Sequence, residues 1–370
     1  MTRQASHGAF PEINHDEMAR QDFTLRLREY VAGDIVGGND KVYEHAVEPA
    51  FERVEGRKPE TRKEVRQAME RHPFHQAWSS LNRATQEMIW HSVQDSLDRQ
   101  DDALNMRIKQ PGKGAGSLRL NPALKTPRYV AAVDIHCMPG NYHTEYTEDD
   151  AYQGALLDRG AFMYARGGRG PNHDSFGHDL LAYLKKTNPN FKPRRILDMG
   201  AGPGQVTCAF AKTFPDAEIH AIDVAAPLLR YGNKRAESLG YDIHFSQQNA
   251  EGTEFEDESF DLVFSCIMMH ETSSKALRNY VKETRRLLAP GGIALHMDFP
   301  HNQDKTPYKQ AMVDWSTHYN AEPFIGTLGD TDLADVAVQS GFSHNTATVV
   351  PMSTVVPTNP MYVLDARKPV

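Results

Sequence analysis

Asp198, Gly200, Gly202 and Gly204 stand in the run Asp-Met-Gly-Ala-Gly-Pro-Gly, directly after the apolar pair Ile196-Leu197 and before the helical run Val206–Phe214. Glycines at alternate positions let a chain turn sharply and bring bare backbone up to a ligand. A helix starting there offers free N–H groups and the positive end of its dipole. A second acid, Asp223, comes 25 residues after Asp198, just past the run Glu218–Ile222. A carboxylate at that place can accept hydrogen bonds from both hydroxyls of a ribose. The third glycine arrives one residue earlier than in the G-x-G-x-x-G of dinucleotide binders, so the spacing does not call for a pyrophosphate.

Groups able to move a proton lie on either side. His270 and Glu271 follow the run Phe260-Asp-Leu-Val-Phe-Ser265, and Asp298 and His301 follow Ile293–Met297. Both places are the carboxyl ends of expected strands, where ligands bind in α/β sheets. His270 is the first candidate for a general base or for orienting a substrate, with Glu271 as its partner or substitute. His301 and Asp298 come second, Tyr142 and His143 third. The last two belong to residues 134–175, a stretch dense in His, Tyr, Asp, Glu, Arg and Gly. So long a polar loop is unusual without a role, and it reads as an active-site lid. Asp134, His136, Cys137 and His143 are neighbours there. A His-Cys pair followed six residues later by His matches no common zinc signature, so no metal is expected. Cys266 reads as a small buried residue rather than a nucleophile.

These groups need a scaffold, and from Arg194 onward strands and helices alternate, which predicts a doubly wound α/β sheet. Strands are expected at Arg195–Met199, Glu218–Ile222, Ile243–Gln247, Phe260–Ser265 and Ile293–Met297, the last after a turn at Leu288–Gly292. Two closing strands, Phe342–Met352 and Thr354–Ala366, carry Pro351, Pro357 and Pro360, which suits a sheet edge. Residues 14–105 show helical periodicity only, with a break at Gly37-Gly38, capping-box spacing at Thr61–Glu64 and a long helix from Phe74 to Leu104. Residues 106–126 have the composition of a linker, and Arg128–Val133 reads as extended. The division expected is a helical domain over 1–110 acting as a substrate cap or dimerisation unit, a linker and lid over 111–175, and a ligand-binding domain over 176–370.

Four landmarks recur in order: D-x-G-x-G-x-G at 198–204, the acid Asp223, F-D-L-V-x-S at 260–265 and L-x-P-G-G at 288–292. Together they resemble the motifs of class I (Rossmann-like) S-adenosylmethionine-dependent methyltransferases, well over 180–300 and in outline to 370. The resemblance implies an α/β, Rossmann-like doubly wound sheet with an antiparallel last strand, here preceded by an all-α N-terminal domain. It implies S-adenosylmethionine as cofactor. Asp198 would order the glycine loop and contact the methionine moiety. Gly200, Ala201, Gly202 and Gly204 would form the floor, and Asp223 with Val224 would hold the ribose. Asn249 and Ala250, with Glu251 beside them, would border the adenine, Asn249 standing where the family usually has Asp. Ser265 and Cys266 would flank the methionine end.

Methyl transfer from a sulfonium expels a neutral thioether, so no acid is needed. A base is needed only when the acceptor carries a proton of high pKa. The expected function is methylation of a small-molecule acceptor. Methylation of a protein side chain, and a non-catalytic cofactor-binding role, stay open.

Composition narrows the partners. The chain has 370 residues, 39% hydrophobic and 24% charged, as in a soluble protein of about two domains. A net charge of −8 repels phosphate backbones, so no nucleic-acid partner is expected. With no long apolar run and no apolar stretch among the first twenty residues, neither a membrane span nor a secretory signal is expected. Three scattered cysteines fit a reducing cytoplasm. A homodimer through the helical N-terminal domain is the one protein partner expected.

Overall fold

The computed structural model describes residues 3–112, 114–299, 301–352 and 361–370. Its centre is an eight-stranded sheet: β1 Ser117–Arg119, β2 Arg195–Met199, β3 Glu218–Asp223, β4 His244–Gln247, β5 Phe260–Cys266, β6 Leu288–Asp298, β7 Ala347–Met352 and β8 Met361–Arg367. The order is β1-β4-β3-β2-β5-β6-β8-β7. All pairs are parallel except those of β8, which runs antiparallel to both β6 and β7. The chain winds outward from β2 in both directions. The crevice at the carboxyl end of β2 is therefore the place where such a sheet binds a ligand.

The strands form because their side chains are apolar on both faces. Ile196, Leu262 and Phe264 pack with Leu180, Leu184 and Phe210 on one side. Leu197, Met199 and Val263 pack with Leu277, Tyr280 and Val281 on the other. This is the period-two alternation of a strand buried on both faces. Phe210 and Phe264 stack at 3.9 Å between centroids, fixing the helix Gln205–Thr213 to β5.

In the N-terminal half, Asn14 and Thr61 each open a helix through a capping box, with Glu17 and Glu64 respectively. The break expected at Gly37-Gly38 does not occur. Helical backbone runs from His15 to Glu55 through wider π-type turns at Val31–Ile35 and Tyr43–Val47. A Cβ on Gly38 would lie 2.2 Å from the Phe74 ring, so this glycine permits close packing rather than a turn. The long helix spans Pro73–Asp98, and a separate one covers Asp101–Lys109.

Four other expectations are corrected. The linker contributes β1, a parallel edge strand on β4 whose three residues are all exposed, which is why no apolar alternation announced it. Arg128–Val133 is not extended: Arg128–Ala131 is a helical turn after Pro127. The turn expected at Leu288–Gly292 is drawn into β6, with a register shift against β5. Of the last two strands, β7 starts only at Ala347 and carries Pro351 on the outer edge. Thr354, Pro357 and Pro360 lie outside the described residues.

Residues 134–175 contain a buried helix, Tyr152–Tyr164, wedged between the long helix and Ala226–Ser238. Gly160 lies against Trp90 and Gly154 against Tyr231, each too close for a Cβ. Asp158 on this helix is fully buried. It accepts from Arg235 at 2.8 Å, Tyr231 at 2.9 Å and Gln205 at 2.7 Å, with His7 Nε2 3.1 Å away. One carboxylate thus ties the N-terminus and the helical region to the helix that follows the glycine loop.

Candidate active site

The glycine loop leaves β2 and enters the helix at Gln205. Gly200 and Gly204 have φ of 78° and 73°, the left-handed region where glycine is favoured. Its N–H groups are not free, as the sequence suggested. Gly200 and Ala201 both donate to Ile222 O, Gly202 donates to Asp223 Oδ2 at 2.9 Å, and Gly204 donates to Ala201 O. What the loop offers is shape, two carboxylates and a helix N-terminus with no side-chain cap.

Both carboxylates have a defined setting. Asp198 is buried and accepts from Thr207 Oγ1 at 2.6 Å. Burial pushes its carboxyl up to about 7, with Thr207 opposing and the Asp223 charge assisting. Asp223 also accepts from Ala225 N–H at 2.9 Å. Burial pushes it up to about 6 against the hydrogen bonds from Ala225 and Gly202.

A cavity of about 880 Å³ opens above this loop. Its wall includes Asp198, Gly200, Ala201, Gly202, Asp223, Val224, Asn249, Ala250 and Cys266. Asn249 Oδ1 already accepts from Glu251 N–H at 2.9 Å, leaving it one further lone pair. Ser265 is not on the wall. It is fully buried, with Tyr280 Oη at 2.7 Å and His296 Nδ1 at 3.0 Å from its hydroxyl. Its side chain alternates to the face opposite Cys266, as period two requires.

The same wall carries His270, Glu271 and Tyr142. His270 is fully buried. Its Nδ1 is 2.8 Å from Asp298 Oδ1, and its backbone N–H donates to Asp298 Oδ2 at 3.2 Å. Tyr142 Oη donates to Glu271 Oε1 at 2.7 Å. His136 joins them, with Nε2 3.4 Å from Glu271 Oε1 and Nδ1 3.0 Å from Glu322 Oε1. Burial works against charge on both imidazoles. The facing carboxylates prevail, Asp298 for His270 and Glu322 with Glu271 for His136, and hold both above the ordinary imidazole value. Burial, with Glu271 beside it, raises the Tyr142 phenol.

His301 and His143 are not part of this group. His301 is buried and stacks on Tyr362 at 5.9 Å, off the cavity wall. His143 is half-buried and also off the wall. Two wall residues were not expected. Glu322 lies between helices, with no motif around it, and accepts from Asn320. Arg169 covers the Phe176 ring at 4.0 Å. His136 was visible only as one of several clustered histidines.

Residues 196–292 match a family model described as a methyltransferase domain. That stretch runs from β2 into β6 and holds the glycine loop, Asp223 and the His270 loop. A demethylmenaquinone methyltransferase of Thermus thermophilus is 32% identical over 134 residues, 34% of this chain and 57% of that protein. A malonyl-[acyl-carrier protein] O-methyltransferase of Methylococcus capsulatus is 32% identical over 152 residues, 39% of this chain and 51% of that protein. The chain thus spans about half the length of these curated relatives. Among solved structures, Haemonchus contortus phosphoethanolamine N-methyltransferase 2 in complex with S-adenosyl-L-methionine aligns with a TM-score of 0.44. It is 19% identical, over 58% of this chain and 59% of that one. Over residues 196–292, then, the chain is similar to methyltransferase domains.

Proposed function

We propose that this chain transfers the methyl group of S-adenosylmethionine to a small-molecule acceptor held in the cavity beside His136, His270 and Glu271. The observation that carries this reading is the shared wall: the glycine loop with its two acids, and the polar cluster, face one cavity of about 880 Å³. Asp223 supports a ribose, Asn249 and Ala250 border a base, and Asp198 suits a cationic amino-acid end. Arg169 is a cation on the wall suited to a carboxylate. The cofactor itself supplies the electrophilic methyl group.

The remaining residues bind, orient and exclude water. Because Asp298 holds His270 toward its charged form, the imidazole serves as a hydrogen-bond donor to the acceptor. Glu271 then receives an acceptor proton where there is one. This reverses the order of base candidates read from the sequence. A small acceptor is favoured because Val36, Asp40, Tyr308 and Met312, from the N-terminal helices and Pro307–Tyr319, also line the cavity. No helix among the described residues is long and apolar enough to cross a membrane.

The test is incubation of the full chain with methyl-labelled S-adenosylmethionine and a panel of phenols, carboxylates, thiols and amines. Label in a small product with matching S-adenosylhomocysteine is expected. Tight cofactor binding with no turnover across the panel favours a binding role, and label in protein favours a side-chain acceptor.

A further inference from the structure

We infer that His136, His270 and Glu271 form a site for one divalent transition-metal ion, open to the cavity. Their donor atoms lie within 4.8 Å of one another, the one such group of three among the described residues. His136 Nε2 is 3.4 Å and His270 Nε2 3.8 Å from the same Glu271 oxygen. Donors about 2.0–2.2 Å from a tetrahedral ion stand roughly 3.3–3.6 Å apart, so the two Glu271 distances are already close to that spacing and the set as a whole must contract by up to about 1.5 Å on binding.

Three independent features point to a ligand. First, His270 has a fully buried side chain, and its Nε2 has no hydrogen-bond partner among the described residues, although it faces Glu271 and the cavity. A buried polar atom left unpaired is costly unless something occupies the place before it. Second, each Nδ1 stands beside a carboxylate. That of His270 is hydrogen-bonded to Asp298 at 2.8 Å, and that of His136 lies 3.0 Å from Glu322 as an ion-pair contact without hydrogen-bond geometry. Metal-binding histidines are held as His270 is, with the far nitrogen on a carboxylate that fixes tautomer and ring orientation. Third, His136 and Cys137 both have left-handed backbone, φ 57° and 56°. Trp90 Nε1 at 2.8 Å and Gln86 Nε2 at 3.1 Å both donate to His136 O, locking that strained turn. Strain held in place by buried donors is typical of a site that must present a side chain in one orientation.

The chemistry of the set selects the ion. Two imidazoles and one carboxylate suit zinc, manganese, iron or cobalt in the divalent state, and an all-oxygen ion such as calcium poorly. Glu271, Glu322 and Asp298 bring three carboxylates around two imidazoles, and a dication offsets that excess. Three protein ligands leave at least one position toward the cavity. If the methyltransferase reading holds, that position takes an oxygen of the acceptor. The acceptor class is then one with a metal-binding hydroxyl, enol or carboxylate, and His270 acts as a ligand rather than as a donor to it.

The untagged full chain, stripped with dipicolinate and dialysed, is titrated with zinc, manganese and cobalt(II) by calorimetry. Metal content is measured after reconstitution, and the cobalt(II) absorption spectrum is recorded. One ion per chain is expected, with four- or five-coordinate cobalt bands. H136A, H270A and E271Q should each weaken binding by on the order of 100-fold or more, and D298N by about 10–100-fold. Exposed His91 serves as the control, and H91A should bind as wild type. S-adenosylhomocysteine binding in each variant reports that it is folded, and H136Q and H270Q replace any variant that is not. Failure of all three metals to bind stoichiometrically to a wild-type chain that binds S-adenosylhomocysteine overturns the site. So does equal metal binding by the folded H136Q/H270Q variant. Metal content and spectrum are read without turnover. A chain that binds no metal on reconstitution yet methylates sinks this inference alone, and a metal-binding chain without turnover sinks only the methyltransferase reading.

Discussion

Asp298 holds His270 at two points, with Oδ1 2.8 Å from the ring Nδ1 and Oδ2 3.2 Å from the backbone N–H it accepts. One carboxylate at the end of β6 therefore sets both the position and the tautomer of an imidazole in the loop after β5. Asp298→Asn keeps the shape but removes the charge and one acceptor. The expected result is a fall in kcat of about 10–100-fold, with cofactor affinity unchanged within about twofold. Steady-state kinetics beside calorimetric cofactor binding checks this. An unchanged kcat means that His270 orientation does not matter to the reaction.

Asp158 and Arg235 form a second fully buried pair, 2.8 Å apart. Burial alone would raise the Asp158 carboxyl, but Arg235 and His7 override it and hold it below the usual carboxylate range. Asp158→Ala leaves a buried guanidinium unpaired, and unfolding free energy should fall by about 3–5 kcal/mol, read as a lower urea midpoint. Gln205, which opens the helix behind the glycine loop, also loses its partner. Cofactor affinity should drop with stability, whereas a purely peripheral cap would leave it unchanged.

The sheet was legible in the sequence because its strands are short apolar runs set between turn residues, and the glycine loop because three glycines and two acids keep fixed places on them. The polar cluster was legible only in part. His270, Glu271 and Tyr142 stood out by residue type. His136 needed Trp90 and Gln86, some fifty positions away in sequence, to hold its turn. Glu322 lies more than 180 residues from His136 and becomes its neighbour only when the helices after β6 fold back over the sheet. Periodicity is a local signal and carries no such information. Ser265 was misplaced for the opposite reason: it sits in the right strand, one step out of phase with the cavity.

Gly200 and Gly202 separate two roles in the same loop. A Cβ on Gly200 would stand 2.7 Å from Met268 Sδ at a φ of 78°, while one on Gly202 meets nothing within 4 Å at a φ of 52°. Gly200→Ala should cost about 1–3 kcal/mol of stability and weaken the cofactor through a displaced loop. Gly202→Ala should cost only about 1–2 kcal/mol, for left-handed backbone. It should still weaken the cofactor at least as much, because its methyl enters the cavity. Denaturant melts and calorimetry of both variants test this, and equal affinity of Gly202→Ala and wild type would place the ligand elsewhere.

Asp198 and Asp223 predict opposite pH trends for the free protein and for cofactor binding. Burial raises their carboxyls to about 7 and about 6. In the unfolded chain both ionise near the ordinary value of 3.8. Between about pH 4 and 7 the native state therefore holds protons that the unfolded state has lost, and their contribution to stability falls as pH rises. A ribose needs Asp223 as an acceptor, and a cationic amino-acid end needs Asp198 charged, so cofactor affinity rises over the upper part of the same window. Below pH 6 the affinity should weaken by up to about tenfold per pH unit for each group that must lose its proton on binding. S-adenosylhomocysteine titrations from pH 5 to 8 measure it in wild type and in Asp223→Asn. The variant should bind more weakly at pH 8 and show a flatter profile, keeping only the Asp198 dependence. A wild-type affinity that stays level, or improves on acidification, would mean that neither carboxylate is charged against the cofactor.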